Sequence, residues 1–123
     1  MRPNKLRQLL DARKPSICAR VNSVWTSMVE IIGQTGAFDY VEFAAEYAPF
    51  DLHDLDSFCR AIELFDMSAM IKVDQEPRGF LAQRAIGAGF HSVLFADCRS
   101  VEYVQVLRDV VVAIMIEKRS AVE

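Results

Sequence analysis

The feature that most constrains the fold of this chain is a regular alternation of apolar, β-rich segments with amphipathic helical segments. The ends of successive β-rich segments lie between 21 and 27 residues apart. Such spacing leaves room for a helix in every connection, so the strands should run parallel and be joined by right-handed crossovers. The sequence therefore predicts an α/β fold, with strands at residues 17–24, 38–46, 67–73, 91–96 and 110–116.

The helices between these strands have their own sequence signals. A helix over residues 25–36 should end at Gly36, and Asp51 is placed to cap a helix whose apolar residues repeat every three or four positions up to Phe65. Pro77 suits the first turn of the next helix, which Gly87 and Gly89 should close. A further short helix is predicted over residues 100–109.

Polar residues collect where the predicted strands end. Parallel strands present their carboxyl ends at one edge, which rings the mouth of a barrel or lines the crevice of an open doubly wound sheet. No GxGxxG segment follows a strand in the order that a dinucleotide site requires, and there is no P-loop. This pattern alone fits both architectures, and the polar residues in question are Glu46, Tyr47, Lys72, Asp97 and Glu117.

Composition excludes several classes of function. The 123 residues are 52% hydrophobic and carry a net charge of −3, so we expect one globular domain that binds no nucleic acid. The longest apolar run, residues 110–116, is far shorter than the roughly 20 residues that span a bilayer. The first 16 residues resemble no secretory signal, which favours a cytoplasmic protein without a membrane partner. Three widely spaced cysteines without a CxxC pair favour reduced thiols in the core.

Five segments, in this order and covering nearly the whole chain from Lys14, are similar to the HpcH/HpaI aldolase family: KPSICARV, GAFDYVEFAAEYAPFDLHDL, AMIKVDQEP, QRAIGAGFHSVLFADCRSVE and VVVAIMIEKRSAVE. The family comprises metal-dependent class II pyruvate-type aldolases built on a TIM barrel. The resemblance implies that residues 1–123 form a single partial domain, an incomplete (β/α)8 barrel with about five strands. Because such a barrel typically needs about 250 residues, we expect a piece of a longer protein, short after Glu123 and within residues 99–103.

The resemblance also implies a reaction. Family members cleave or form a carbon–carbon bond of a 2-oxo acid through a pyruvate enolate, stabilised by a divalent cation such as Mg, Mn or Co. Glu117 matches a metal-binding glutamate of the family. An acidic residue next to seven apolar residues is costly unless it is exposed or bound, which agrees with that role. The alternative is a solvated glutamate in the first turn of a following helix.

The chain departs from the family pattern at four positions. Glu46 is kept, but the family's histidine is replaced by Tyr47, and Ala44 stands where its partner aspartate would be. Lys72 replaces the arginine that holds the substrate carboxylate, and Met115 replaces a glutamine. The resemblance thus makes Tyr47 and Lys72 the candidate catalytic residues, and Lys72, Glu46, Asp97 and Met115 the candidate substrate-binding residues. For Lys72, charge pairing ranks above a Schiff-base role, because the other motifs resemble the metal-dependent class.

Two functions remain as alternatives. The first is an aldolase-type lyase whose partners are a small 2-oxo acid and an aldehyde. The second is a non-catalytic partial barrel that at most binds a small oxo acid. A homo-oligomer is expected in either case, because a five-stranded arc leaves sheet edges uncovered. His53 and His91 are predicted to be structural or solvent-facing rather than ligands.

Overall fold

The computed structural model of the protein describes residues 2–74 and 78–109. Helices and strands alternate along them, as the spacing predicted. The elements are α1 (Lys5–Asp11), β1 (Cys18–Val21), α2 (Thr26–Gln34), β2 (Tyr40–Ala44), a 3-10 helix (Ala45–Tyr47), α3 (Leu52–Ile62), β3 (Ser68–Val73), α4 (Arg78–Ala88), β4 (Ser92–Phe95) and α5 (101–109). The predicted fifth strand, residues 110–116, lies outside the described residues.

The order of the strands distinguishes a barrel from a doubly wound sheet. The four strands are all parallel and stand in chain order, β1-β2-β3-β4. A doubly wound sheet reverses its strand order at a switch point and carries helices on both faces. Here the buried residues of α2, α3 and α4 share one core with one face of the sheet. The fold is therefore an arc of a parallel (β/α) barrel.

Each strand alternates between two faces of the sheet. Helix-facing residues such as Val41, Phe43 and Ile71 are fully buried. The residues between them stand on the opposite side, which we call the open face. Most of them are half-buried or exposed, but Ser68 and Ala44 are buried. In cross-strand register the open face comprises Cys18, Tyr40 and Ser68; Arg20, Glu42, Met70 and Ser92; and Ala44, Lys72 and Leu94. In a closed barrel this face would line the interior.

Aromatic rings fill the core between β2 and α3. The Phe58 ring stacks on Phe90 with centroids 5.8 Å apart and lies 5.5 Å from Phe43. Phe43 in turn meets Phe50 edge-on at 5.4 Å. Because Phe50 follows the 3-10 helix directly, these contacts fix the segment that leaves the carboxyl end of β2.

Helix α1 packs against the amino ends of β3 and β4. The Lys5 backbone N–H donates to Ser68 Oγ at 2.7 Å, and Asn4 Nδ2 donates to the His91 carbonyl at 3.1 Å. The Ala69 N–H donates to Nδ1 of His91 at 3.0 Å, which confirms the structural role predicted for this histidine. The other histidine, His53, is exposed in the first turn of α3, also as predicted.

The start of α3 follows its sequence signal, whereas α2 ends at Gln34 rather than Gly36 and α3 ends at Ile62 rather than Phe65. Asp51 forms a full capping box with Asp54 at the start of α3, as predicted. Gly36 follows α2 with a φ of 65°. The prediction that α4 closes at Gly87 is wrong, because the helix continues through Ala88 and ends at Gly89, whose φ is 121°. A glycine within a helix lowers stability without necessarily ending it.

Two further predictions need correction. The strands over residues 17–24 and 38–46 are shorter than predicted, because β1 ends at Val21 and the chain turns into the 3-10 helix after Ala44. Cys59 is buried and Cys18 half-buried, but Cys98 is exposed, because it lies in the loop after β4 rather than in a strand. Within the described ranges, none of the helices combines the length and apolarity needed to cross a bilayer.

Candidate functional site

The carboxyl ends of β2 and β3 bring together three of the predicted site residues. Ala44, the last residue of β2, is the register partner of Lys72 in β3. The 3-10 helix that follows Ala44 turns Glu46 and Tyr47 back over the strand end. As a result, Lys72 reaches both the carboxylate of Glu46 and the ring of Tyr47.

Lys72 and Glu46 form an ion pair in which the two partners differ in burial. Nζ of Lys72 contacts Oε1 of Glu46, while the lysine side chain is 21% exposed and the glutamate side chain only 8%. Oε1 of Glu46 is completely buried and accepts no other hydrogen bond in the described part of the chain. The ammonium therefore compensates a carboxylate that water barely reaches.

The pairing also fixes the protonation state of Lys72. The contact with Glu46 raises the pKa of Lys72 above its ordinary value, against a smaller opposing effect of burial. A lysine that forms a Schiff base must supply a neutral amine, which requires a lowered pKa. The geometry therefore favours charge pairing, the role ranked first from the sequence.

The ring of Tyr47 contacts two cations. Lys72 Nζ is 5.4 Å from the ring centroid, and Cζ of Arg20 is 5.6 Å from it. Both distances fall within the range of about 6 Å over which a cation is attracted to an aromatic face. The Tyr47 side chain is nevertheless 65% exposed, so much of it faces solvent at this end of the sheet.

Sequence reasoning missed Arg20 and its neighbour Glu42. The two residues are register partners on the open face, with Arg20 Nε 3.6 Å from Glu42 Oε1. Their signal was present, since each is a charged residue inside a segment predicted as an apolar strand. Opposite charges at matching positions of neighbouring strands indicate a sheet face that is not covered by a helical layer.

Three further site residues were predicted, Asp97, Met115 and Glu117. Asp97 follows β4, is exposed and has a φ of 52°. Met115 and Glu117 lie outside the described residues, so their predicted roles stay predictions.

The described residues do not supply a site for a divalent cation. In residues 2–74 and 78–109, there is no group of three or more His, Cys, Asp or Glu side chains that could hold a metal ion. The carboxylate of Glu46, which follows β2, is already paired with Lys72. We therefore derive no chemical step through a metal from these residues, and Glu117 remains the predicted ligand.

Comparison with known proteins gives structural matches alone. Neither the protein-family models nor the curated proteins contain a match. An HpcH/HpaI aldolase from Desulfitobacterium hafniense DCB-2 superimposes with a TM-score of 0.79 at 18% identity, over 89% of this chain and 42% of that one. An HpcH/HpaI aldolase/citrate lyase family protein from Burkholderia cenocepacia J2315 gives 0.73 at 26% identity, over 82% and 40%. The citrate synthase SbnG gives 0.73 at 17% identity, over 84% and 41%.

These matches define the class of fold. The chain is a partial α/β barrel on an aldolase-type scaffold, and it spans about two fifths of the length of the solved structures it matches. The resemblance to the HpcH/HpaI aldolase family, predicted from five sequence segments, is confirmed by these structural neighbours.

Proposed function

We propose that this chain carries part of the substrate-binding edge of a carbon–carbon lyase that acts on a small 2-oxo acid. The observation that carries the proposal is the group of Glu46, Tyr47 and Lys72 at the carboxyl ends of β2 and β3. The active sites of (β/α) barrels lie at that end of the strands. The scaffold, which matches aldolase-family structures, supports the assignment to this reaction class.

The chemistry requires a cation where charge develops. In a retro-aldol cleavage, the hydroxyl of a 4-hydroxy-2-oxo acid loses its proton and the bond between C3 and C4 breaks. An aldehyde leaves, and the electron pair of the broken bond forms an enolate with negative charge on the C2 oxygen. A cation fixed beside that oxygen lowers the barrier. Lys72 suits this role, because Glu46 holds its ammonium in place and keeps it protonated.

Tyr47 is the proposed proton relay: it passes the proton of the C4 hydroxyl to solvent, and water returns a proton to C3 of the enolate, which gives pyruvate. Its hydroxyl is carried by a ring that is largely exposed at the strand ends and contacts the Lys72 ammonium. A divalent cation, when bound, would act as a Lewis acid on the 2-oxo acid. Its proposed ligand remains Glu117.

The ion pair that Glu46 forms with Lys72 favours a second candidate function, in which the chain binds a 2-oxo acid without turnover. Among the described residues, the carboxylate of Glu46 is the acidic group that contacts Lys72, and it is committed to that ion pair. In the described part of the chain, both histidines lie elsewhere: His53 on the exposed side of α3 and His91 at the amino end of β4. Lys72 and its neighbour Arg20 thus supply two cations for an anion, while Glu46, the carboxylate of the group, is not available as a base.

Turnover separates the two candidates. Purified protein is incubated with Mn²⁺ and oxaloacetate or a 4-hydroxy-2-oxo acid, and pyruvate release is followed with lactate dehydrogenase. We expect Lys72→Met to lower the rate at least 10-fold, consistent with the loss of a charge-stabilising donor. Lys14→Met, which removes the same charge from an exposed segment, should keep the wild-type rate.

Each result has a definite meaning. Turnover that is lost in Lys72→Met and kept in Lys14→Met supports the lyase. Pyruvate binding without turnover supports the second candidate. If the wild-type protein neither binds pyruvate nor turns over either substrate, both are refuted.

A further inference from the structure

Two cations reach the Tyr47 ring, and their charges are compensated to different degrees. Lys72 contacts Glu46, a carboxylate whose side chain is only 8% exposed. Removing the ammonium from that carboxylate, or sharing it fully with a second anion, would leave a buried charge poorly compensated. Lys72 is therefore not free to serve as the main anchor for an incoming carboxylate.

The charge of Arg20 is compensated far less than that of Lys72. Its side chain is 49% exposed, and its contact with Glu42 joins Nε to Oε1 at 3.6 Å. Charge-assisted N–H···O bonds are normally about 2.7–2.9 Å long, so this pairing is loose. The closest contact is made by Nε and not by the two terminal amino groups. They are the two donors that bind a carboxylate in the parallel, bidentate geometry typical of arginine.

The position of Arg20 matches that task. It stands on the open face in β1, and its guanidinium lies 5.6 Å from the centroid of Tyr47. Lys72 lies 5.4 Å from the same centroid, so both cations contact the Tyr47 ring. A small acid bound there could place its carboxylate on Arg20 and its oxo group toward Lys72.

We infer that Arg20, rather than Lys72, binds the carboxylate of the 2-oxo acid, with Tyr47 as one wall of the subsite. This inference rests on the proposed function and assigns the two cations different tasks. Arg20 recognises the acid, and Lys72 stabilises charge on the oxo oxygen. Arg20 is thus a specificity-determining residue that the sequence motifs did not indicate.

The test compares a charged ligand with a neutral one of the same shape. Dissociation constants of pyruvate and of pyruvamide, its neutral amide, are measured by calorimetry for the wild-type protein, Arg20→Met and Arg20→Lys. We expect Arg20→Met to weaken pyruvate binding by about 10- to 100-fold, the usual effect of losing a hydrogen bond to a charged group. Pyruvamide binding should change less than threefold. Arg20→Lys keeps the charge but loses the bidentate geometry of the guanidinium. Its affinity for pyruvate should therefore lie between those of the wild-type protein and Arg20→Met.

The chain offers a matched control. Arg84, on α4, also lies over an aromatic ring, with Cζ 5.1 Å from the centroid of Phe80, but it belongs to the helical layer. Arg84→Met should leave both dissociation constants unchanged. A readout on the wild-type protein keeps the test valid even if Arg20→Met does not fold. The ¹⁵Nε resonance of Arg20 should shift on addition of pyruvate, and that of Arg84 should not.

The possible outcomes are distinct. The assignment of Arg20 is overturned if the wild-type protein and Arg20→Met bind pyruvate equally well, or if the Arg20 resonance does not shift on addition of pyruvate. Either result leaves the proposed function standing. Equal weakening of pyruvate and pyruvamide also overturns the assignment of Arg20, because recognition would not then depend on the carboxylate. If the wild-type protein binds neither ligand, the proposed function fails together with this inference.

Discussion

The packing of Gly33, on α2, against Phe65, in the turn after α3, leads to a prediction about two glycines that respond in opposite directions to the same substitution. A Cβ placed on Gly33 would lie 2.8 Å from Cδ1 of Phe65 and still closer to Cγ and Cδ2. Carbon atoms normally pack at about 3.5–4.0 Å. The clash involves the base of the ring, which cannot move aside by rotating a flexible end. A Cβ on Gly87, in α4, would meet nothing within 4 Å.

The magnitudes follow from two opposing effects. Alanine is favoured over glycine within a helix by about 0.5–1 kcal/mol, and this gain applies to both positions. At Gly33 it is opposed by overpacking, which typically costs about 1–3 kcal/mol. We therefore expect Gly33→Ala to lower the free energy of unfolding by roughly 0.5–2 kcal/mol, and Gly87→Ala to raise it by up to about 1 kcal/mol. For a chain of this size, 1 kcal/mol corresponds to a change in Tm of about 4 °C.

Urea and thermal unfolding of the two single variants measure both effects. A third variant tests the cause, since Phe65→Leu removes the ring that blocks the new methyl group. Gly33→Ala should then cost less in the Phe65→Leu background than in the wild-type protein, which a double-mutant cycle reports directly. If Gly33→Ala and Gly87→Ala shift Tm in the same direction and by equal amounts, the close packing of Gly33 on Phe65 is refuted.

Two further predictions concern acid stability and metal binding. Burial lowers the pKa of His91, against the opposing effect of Glu63 and with help from Arg2, and its Nδ1 must stay unprotonated to accept from Ala69. The contribution of His91 to the free energy of unfolding is thus present above the ordinary histidine pKa of about 6.5. It is lost as pH falls below that value, by at most about 1.4 kcal/mol per pH unit. The free energy of unfolding, measured from pH 7.5 to 5, should depend less on pH in His91→Asn than in the wild-type protein, and the exposed control His53→Asn should keep the wild-type dependence. Equal slopes of this free energy against pH in all three proteins would contradict the role of His91. Mn²⁺ binding, followed by electron paramagnetic resonance, should weaken at least 10-fold in Glu117→Gln and stay unchanged in Glu102→Gln; unchanged affinity in Glu117→Gln would remove Glu117 from the metal site.

The sequence predicted the fold well where periodicity determined it. The alternation of elements, the parallel strands and the cap at Asp51 all follow from local pattern, and the structure confirms them. The lengths of β1 and β2 do not follow from local pattern. The 3-10 helix after Ala44 is held by packing of Phe50 on Phe43, a contact between residues that hydropathy alone does not pair.

The candidate site was predicted in part for the same reason. Because parallel strands end at one edge, Glu46, Tyr47 and Lys72 were expected near one another. The ion pair between Lys72 and Glu46 depends on the turn that carries Glu46 back over β3, so the sequence could not establish it. The sequence did not indicate Arg20, because it lies within a segment predicted as an apolar strand, whereas one face of β1 is open.

The two faces of the sheet separate stability from chemistry along a single strand. Ile71 and Lys72 are consecutive, yet the first is sealed within the helical core and the second reaches the site. Substitutions at helix-facing positions should therefore act mainly on folding, and those on the open face mainly on ligands. The free-energy effects of substitutions at residues that share no partners tend to be additive. A scaffold divided in this way can change its specificity through alternate residues of its strands without repacking its core.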